Sequence, residues 1–180
     1  MLRPWRRIAS SRLQRCRVFD VDEVRFAPPD RDTPETFYRI EAPDWINVIA
    51  LTADDDVLLV RQYRFGTEEF TLEIPGGMCD PGEAPLVAAR RELREETGHE
   101  AGEMLELGFV HPNPAIQTNR CYTFLARQLH EAGPPEPDEH EAFELQRVPL
   151  KRISRLIADG SITHALVVAA FQLLETGERR

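Results

Sequence analysis

Residues 77–99 read G-M-C-D-P-G-E-A-P-L-V-A-A-R-R-E-L-R-E-E-T-G-H. Glu92, Glu95 and Glu96 stand at i, i+3 and i+4. On a helix turning about 100° per residue they share one face. Like charges so placed repel and cost stability, so the run is either a plain solvated helix face or a face built for something positive. Its frame favours the second reading. Pro81 and Gly82 form a turn ahead of the helix, and Gly98 ends it as a C′ residue. Leu86, Ala89 and Leu93, at i, i+3 and i+7, give an apolar stripe on an adjacent side. That stripe would hold the helix to a core and leave the carboxylates facing a cleft. A hard divalent cation resolves the repulsion, because Mg²⁺ takes carboxylate oxygens and keeps waters and substrate phosphates in its shell.

Working outward, residues 61–64 read R-Q-Y-R, 72–77 read L-E-I-P-G-G, and 111–120 read H-P-N-P-A-I-Q-T-N-R. With these in hand, the quoted stretch resembles the Nudix box, G-x5-E-x7-R-E-U-x-E-E-x-G-U with U aliphatic. Gly77, Glu83, Arg91, Glu92, Glu95, Glu96 and Gly98 supply every fixed letter, and Leu93 the first U. His99 stands where the last U belongs, a departure that touches packing after the helix rather than the carboxylate face. The flanks resemble the branch that hydrolyses ADP-ribose and other nucleoside diphosphate sugars. Pro114, 15 residues beyond His99, matches that branch's proline-bearing substrate loop. The resemblance spans about residues 17–176 and implies a Nudix-type α/β/α sandwich with a mixed sheet and extra N-terminal strands.

The resemblance also implies roles. Glu92, Glu95 and Glu96 would ligate Mg²⁺, or Mn²⁺, with the Gly77 carbonyl added. Arg91 would orient the carboxylates through charge-assisted hydrogen bonds. Glu83 either ligates metal or caps the helix N-terminus. The reaction would be attack of water on a diphosphate phosphorus, with a general base within hydrogen-bond reach of that water. That branch takes its base from a late acidic loop, here holding Glu136, Asp138, Glu139 and Glu141, with Glu144 at its exit. Glu141 and then Glu139 are the preferred candidates. All five can equally be solvated loop charges, and Glu95 or Glu96 is the alternative base. Arg64 and Arg61 would grip phosphates in a planar fork, or form salt bridges at a strand end. Trp45 and Phe65 would stack a nucleobase, or simply pack. His111, Asn113, Gln117 and Asn119 would read sugar hydroxyls, or stabilise their own loop. His140 and His164 show no ligand spacing.

The 180 residues suit one domain; the resemblance implies that the strands in 1–42, ahead of a catalytic core over 43–180, build a dimer. The net charge of −9 argues against nucleic acid as the main ligand. It also implies bridging cations if the substrate is a phosphate. Residues 1–19 hold six arginines and no acid, as a transit peptide or a surface segment would. Alternation from Val18 onward favours the surface segment. The longest apolar run, 165–171, is too short to cross a bilayer. Three cysteines, an odd count without metal spacing, fit a reduced cytoplasmic setting. Cys79, inside the box, is read as incidental.

Strands are predicted at 18–26, 37–41, 46–51, 57–60, 71–74, 105–110, 122–126 and 143–148, with helices at 83–97, 150–159 and 163–175. The partners implied are a nucleoside diphosphate sugar and a second copy of the chain, with neither nucleic acid nor membrane. Two competing readings stay open. One is a pyrophosphatase on nucleoside triphosphates or RNA 5′ ends. The other is a nucleotide-sensing module that does not cleave.

Overall fold

The computed structural model describes residues 2–136 and 143–177. Glu139 and Glu141, with Asp138 and His140, therefore lie outside the described residues. The chain divides into two compact units, one made of residues up to Pro43 together with His111–Arg120, the other of Asp44–Val110 and residues from Cys121 onward.

The first unit is an antiparallel meander of β1 (Arg6–Arg15), β2 (Asp20–Ala27) and β3 (Glu35–Glu41). β1 is a strand where the sequence offers a surface segment leading into the first predicted strand. It is exposed along its whole length, so it carries no apolar alternation to read. Charge holds it instead. The register places Arg12 opposite Asp22, and Asp22 opposite Arg39. Asp22 is 4% exposed and accepts hydrogen bonds from both arginines; Arg12 also reaches Asp20 and Glu41. Opposite charges directly across strands stabilise a sheet. The Arg12 hydrogen bond holds the Asp22 carboxyl below its ordinary range. The Pro/Asn loop is tied to β3, with the Ile40 N–H donating to Ile116 (2.7 Å) and the Thr118 N–H donating back to Ile40 (3.2 Å).

The second unit is an α/β/α sandwich, as the sequence predicts. A mixed sheet in the order β7-β4-β9-β8 pairs β4 (Trp45–Ala50) in parallel with β9 (Cys121–Glu131) and antiparallel with β7 (Gly76–Met78), and β9 antiparallel with β8 (His99–Val110). A second, antiparallel sheet runs β10 (Phe143–Pro149), β5 (Asp56–Arg64), β6 (Glu69–Glu73). Alternation sorts the core into two clusters. Ile46, Val48, Ala50, Leu58 and Phe124 pack against Ala88, Ala89 and Leu93 of α1 (Pro85–Thr97). Ile49, Leu59 and Leu125 pack with Val167, Ala170 and Phe171 of α3 (Ala165–Gly177). A 3₁₀ turn (Leu150–Arg152) runs into the short α2 (Ile153–Ala158), where the sequence predicts one continuous helix.

Other differences are local. β8 (His99–Val110) and β9 extend well past their predicted ends, because the added pairs alternate exposed polar residues with few apolar ones. Helix α1 starts at Pro85 rather than 83, its first turn lacking a side-chain cap. Leu86 leaves the predicted stripe and is 42% exposed, while Ala88 joins it fully buried. No helix among the described residues is long and apolar enough to cross a membrane.

Gly98 ends α1 in the left-handed region, φ 69°, its N–H closing on the Arg94 carbonyl at 2.8 Å. A Cβ there would come within 2.2 Å of the Gly133 carbonyl oxygen. Gly98→Ala is therefore expected to cost about 2 kcal/mol or more. That should appear as a fall in Tm of roughly 4–8 °C by differential scanning calorimetry.

Candidate active site

Helix α1 presents its carboxylates around one guanidinium. Arg91 donates from Nε and Nη2 to the two oxygens of Glu83 (3.1 and 3.0 Å) and from Nη1 to Glu92 (2.8 Å) and Glu95 (3.1 Å). Its remaining Nη2 hydrogen goes to the Met78 carbonyl at 3.0 Å. All five donors of an arginine are thus engaged. The hydrogen bonds it donates to Glu83, then the one to Glu92, push the Arg91 pKa up. Glu83 moves the other way, held below its ordinary range chiefly by Arg91, with the Asp80 N–H adding to it. Glu83 therefore links the loop before α1 to the middle of that helix.

Glu96 lies deeper, at 3% exposure. Its Oε2 accepts the Gly76 N–H at 2.9 Å, an interaction that favours the charged form of a buried carboxylate. Gly77 stands against Glu92, where a Cβ would sit 2.2 Å from Oε1; only a residue without a side chain leaves that carboxylate in place. Strand β7 fixes both glycines, pairing Gly77 with Ile46 and Gly76 with Asn47. The cluster offers only carboxylate and backbone oxygen, which suits a hard divalent cation in kind. Among the described residues, no three His, Cys, Asp or Glu side chains stand as a ready-made metal cluster. In the arrangement seen, Arg91 Nη1 bridges Glu92 and Glu95 and supplies the positive charge.

The remaining predicted residues are spread. Arg64 forms a bidentate pair with Glu73, both bonds 2.7 Å. Glu73 is 3% exposed and also accepts from Thr71 Oγ1 at 2.6 Å. Burial pushes Glu73 up, but the bonds from Arg64 and Thr71 outweigh it and leave its pKa lowered. Arg61 stacks over Phe70, 4.3 Å from the ring centroid, and reaches Glu144 at 3.4 Å. Trp45 opens β4 beside Met78 and Cys121, its indole Nε1 buried with no hydrogen-bond partner among the described residues. Phe65 is 80% exposed and meets Tyr63 edge-on. In the first unit, Pro114 is exposed, Asn113 organises its own turn, and Asn119 is buried, neither amide atom having a hydrogen-bond partner among the described residues. Glu136 donates its N–H to the Glu95 carbonyl at 2.7 Å, and Phe143 pairs with Gln62. The ends of the acidic loop are thereby anchored beside the box helix and beside β5.

His99, the departure from the box pattern, is buried and donates Nδ1–H to the Thr97 carbonyl at 2.7 Å, so a polar ring fills an aliphatic position without an unpaired nitrogen there. His164 accepts the Leu166 N–H on Nδ1 at 3.2 Å, opening α3. Cys79 is buried, its thiol pushed up to about 11 first by burial and then by Asp44, so it is a poor nucleophile. Sequence reasoning gave no role to Gly76, Asn47 or the Met78 carbonyl. A second glycine directly before the box's own Gly77 is the one signal that could have found the first. Glu73, an acid inside T-L-E-I-P, was legible as an oddity.

Comparison with known proteins gives the chain a family and a fold match. The NUDIX domain family matches residues 43–171. The chain is 30% identical over 140 residues to the ADP-ribose pyrophosphatase of Bacillus subtilis (strain 168), covering 77% of this chain and 76% of that protein. It is 30% identical over 172 residues to the methanol dehydrogenase activator of Bacillus methanolicus, covering 95% and 90%. A crystal structure of an ADP compounds hydrolase superposes with a TM-score of 0.84 at 27% identity, over 98% of this chain and 95% of that one.

A carboxylate whose folded pKa is depressed adds stability above its unfolded value and loses it as pH falls through the folded one. Glu73 is such a group. Glu73→Gln should lower stability at pH 7 by roughly 1–2 kcal/mol, discounted because the Arg64 side chain is 41% exposed. The gap from wild type should narrow below about pH 4.5, where free glutamate protonates. Urea unfolding at pH 7 and pH 3.5 measures both.

Proposed function

The chain belongs to the Nudix family and is a pyrophosphohydrolase, and we propose that it hydrolyses the diphosphate bond of nucleoside diphosphate sugars, ADP-ribose foremost. The observation that carries this reading is the gathering of Glu83, Glu92 and Glu95 on Arg91, with buried Glu96 beside Gly76. Support for the substrate comes from the relatives, whose names point to ADP-ribose and ADP compounds.

Nudix hydrolases generally use a divalent metal; here Mg²⁺, or Mn²⁺, held by Glu92, Glu95, Glu96 and the Gly77 carbonyl, would neutralise the diphosphate and lower the pKa of the attacking water. Arg91 keeps Glu92 and Glu95 oriented between turnovers. Glu141 is the preferred general base and Glu139 the second, with Glu95 the alternative on the helix itself. The loop that carries the first two leaves the described chain at Glu136, hydrogen-bonded to the Glu95 carbonyl; this supports its use at the site. The base takes the water's proton as the water oxygen bonds to phosphorus. The P–O bond to the other phosphate then breaks, and that phosphate leaves with the bridging oxygen. Arg64 and Arg61 contact the phosphates, Trp45 the base, and Pro114 belongs to the substrate loop. Arg64 offers its guanidinium from a fixed bidentate grip on Glu73, which limits the entropy lost on binding.

The protein acts in the cytoplasm as a homodimer in this reading. Cysteines that are all free fit the first. The second is supported by β1, a ten-residue edge strand whose Ile8 and Leu13 are exposed, since such an edge invites pairing. Sedimentation equilibrium should return twice the 20.6 kDa chain mass; a monomer at micromolar concentration would overturn the dimer.

The reaction is tested by incubating the protein and Mg²⁺ with ADP-ribose, GDP-mannose, UDP-glucose, a diadenosine polyphosphate and a nucleoside triphosphate, and separating the products. AMP and ribose 5-phosphate should form fastest from ADP-ribose. Glu96→Gln should lower kcat by roughly 100-fold or more while circular dichroism stays unchanged. Rates near wild type in that variant would sink the metal assignment. Binding without cleavage across the whole panel would move the protein to the sensing class.

A further inference from the structure

Asn47 has no place in the chemistry described so far, yet it is one of the few buried polar side chains of the second unit, at 8% exposure. It sits mid-strand in β4, opposite Gly76. Nδ2 donates to the Leu166 carbonyl in the first turn of α3 at 3.2 Å. The other end of the amide lies over Gly76. A Cβ built on that glycine would meet Asn47 Oδ1 at 2.9 Å and the Ile46 carbonyl oxygen at 2.3 Å. Position 76 therefore has no room for a side chain on the β4 side, and the Asn47 amide is one of the groups that fill it. On its other side its N–H is the donor to Glu96 Oε2, 2.9 Å away.

Leu166 is a firm brace for this amide. Its N–H is held by His164 Nδ1 at 3.2 Å and its carbonyl by Asn47. An amide pinned at Nδ2 cannot rotate Oδ1 away from Gly76 without losing its bond to α3. We propose that Asn47 is a positioning residue for hydrolysis: braced on α3, it fixes Gly76 so that the Gly76 N–H meets Glu96, and so sets that carboxylate. The proposal rests on the assignment of Glu96 to the reacting centre. A bond of 2.9 Å from a β-strand amide to a buried carboxylate tolerates little displacement, and partners one step behind a metal ligand commonly change metal affinity or activity by 10–100-fold when removed.

A residue that merely anchors α3 would behave differently, and His164 provides the control, since it holds the same turn without touching Gly76. Asn47→Leu keeps the approximate volume and removes both polar atoms. His164→Ala removes the other brace. Three quantities are read at a temperature where circular dichroism shows each variant folded: Tm, the kcat and KM for ADP-ribose, and Mn²⁺ affinity of the substrate-free protein by electron paramagnetic resonance. Both variants should lower Tm. Asn47→Leu alone should lower kcat and weaken Mn²⁺ binding by about tenfold, the lower end for a partner of a metal ligand because Asn47 acts one step further back through Gly76, with KM within about twofold. His164→Ala leaves the Asn47 amide on Leu166, so it should lower kcat and Mn²⁺ affinity far less than Asn47→Leu; His164 Nε2 stands 3.9 Å from Glu73 Oε2, so a change in KM there reports on the Arg64 grip instead. Asn47→Leu tracking His164→Ala, with Tm the one quantity moved, would overturn the proposal. If Asn47→Leu does not fold, Asn47→Ser takes the same comparison. The Mn²⁺ readout holds if ADP-ribose proves not to be the substrate. Failure of the wild type to bind Mn²⁺ would instead remove Glu96 from the metal, and this proposal with it.

Discussion

The Arg91 guanidinium is the interaction on which the site depends. Glu92, Glu95 and Glu96 fall within one and a half turns of α1 and repel one another. Glu96 takes the Gly76 N–H, while Arg91 answers the first two, and Glu83 ahead of the helix, at once. A lysine could not do so. It would bring a point charge with three rotatable donors, where the planar fork reaches two oxygens of Glu83 and still faces the helix. The fifth bond, to the Met78 carbonyl, ties the same guanidinium to strand β7. Helix, preceding loop and strand are thus registered on one side chain. The backbone positions that must stay bare, Gly76 and Gly77, lie next to that strand's contact with β4.

Packing then makes the arrangement rigid. α1 meets the sheet through Ala88, Ala89 and Leu93, all fully buried, and two alanines side by side let helix and strands approach closely. Glu96 is carried into the same buried face, so the carboxylate nearest the core is the one that takes a main-chain donor rather than a guanidinium. The outermost, Glu95, has a side chain 41% exposed. Unequal burial of the three acids at 92, 95 and 96 divides their partners, with Arg91 Nη1 holding Glu92 and Glu95 and a main-chain N–H holding Glu96, although the sequence offers three identical side chains.

The fold class and the box were legible because their signals are local. A glycine stop, a fixed carboxylate spacing and apolar strands need no tertiary information, and 46–51, 57–60 and the box helix fell within a residue or two of Trp45–Ala50, the start of Asp56–Arg64 and Pro85–Thr97. What stayed hidden is set by partners far along the chain. β1 exists through Arg12 and Asp22 facing across a ladder, a pattern with no periodicity of two. Leu86 reads as core by spacing but lies in the first helical turn, short of the sheet. Asn47 looks like an interruption in W-I-N-V-I-A, and its meaning depends on Leu166, 119 residues later. Among candidate site residues, Glu92, Glu95, Glu96 and Arg91 were legible as a group. The partner of Arg64 was open to reading only as one of two alternatives, since nothing local distinguishes a phosphate fork from a bidentate pair with Glu73.

The charge balance carries a last consequence for the chemistry. A chain of net charge −9 repels a diphosphate at long range, though screening at physiological salt confines that repulsion to about 8 Å. Close to the box, its own cations are largely committed. Arg91 has all five donors on protein oxygens, Arg64 grips Glu73, and Arg61 divides itself between Phe70 and Glu144. Arginines so engaged can orient an anion, but they bring little uncompensated charge, because each is already balanced by a carboxylate. Neutralising two phosphates beside Glu92, Glu95 and Glu96 therefore calls for positive charge from outside the chain. The carboxylates that make the site hostile to a bare diphosphate are the same groups that would attract a divalent cation.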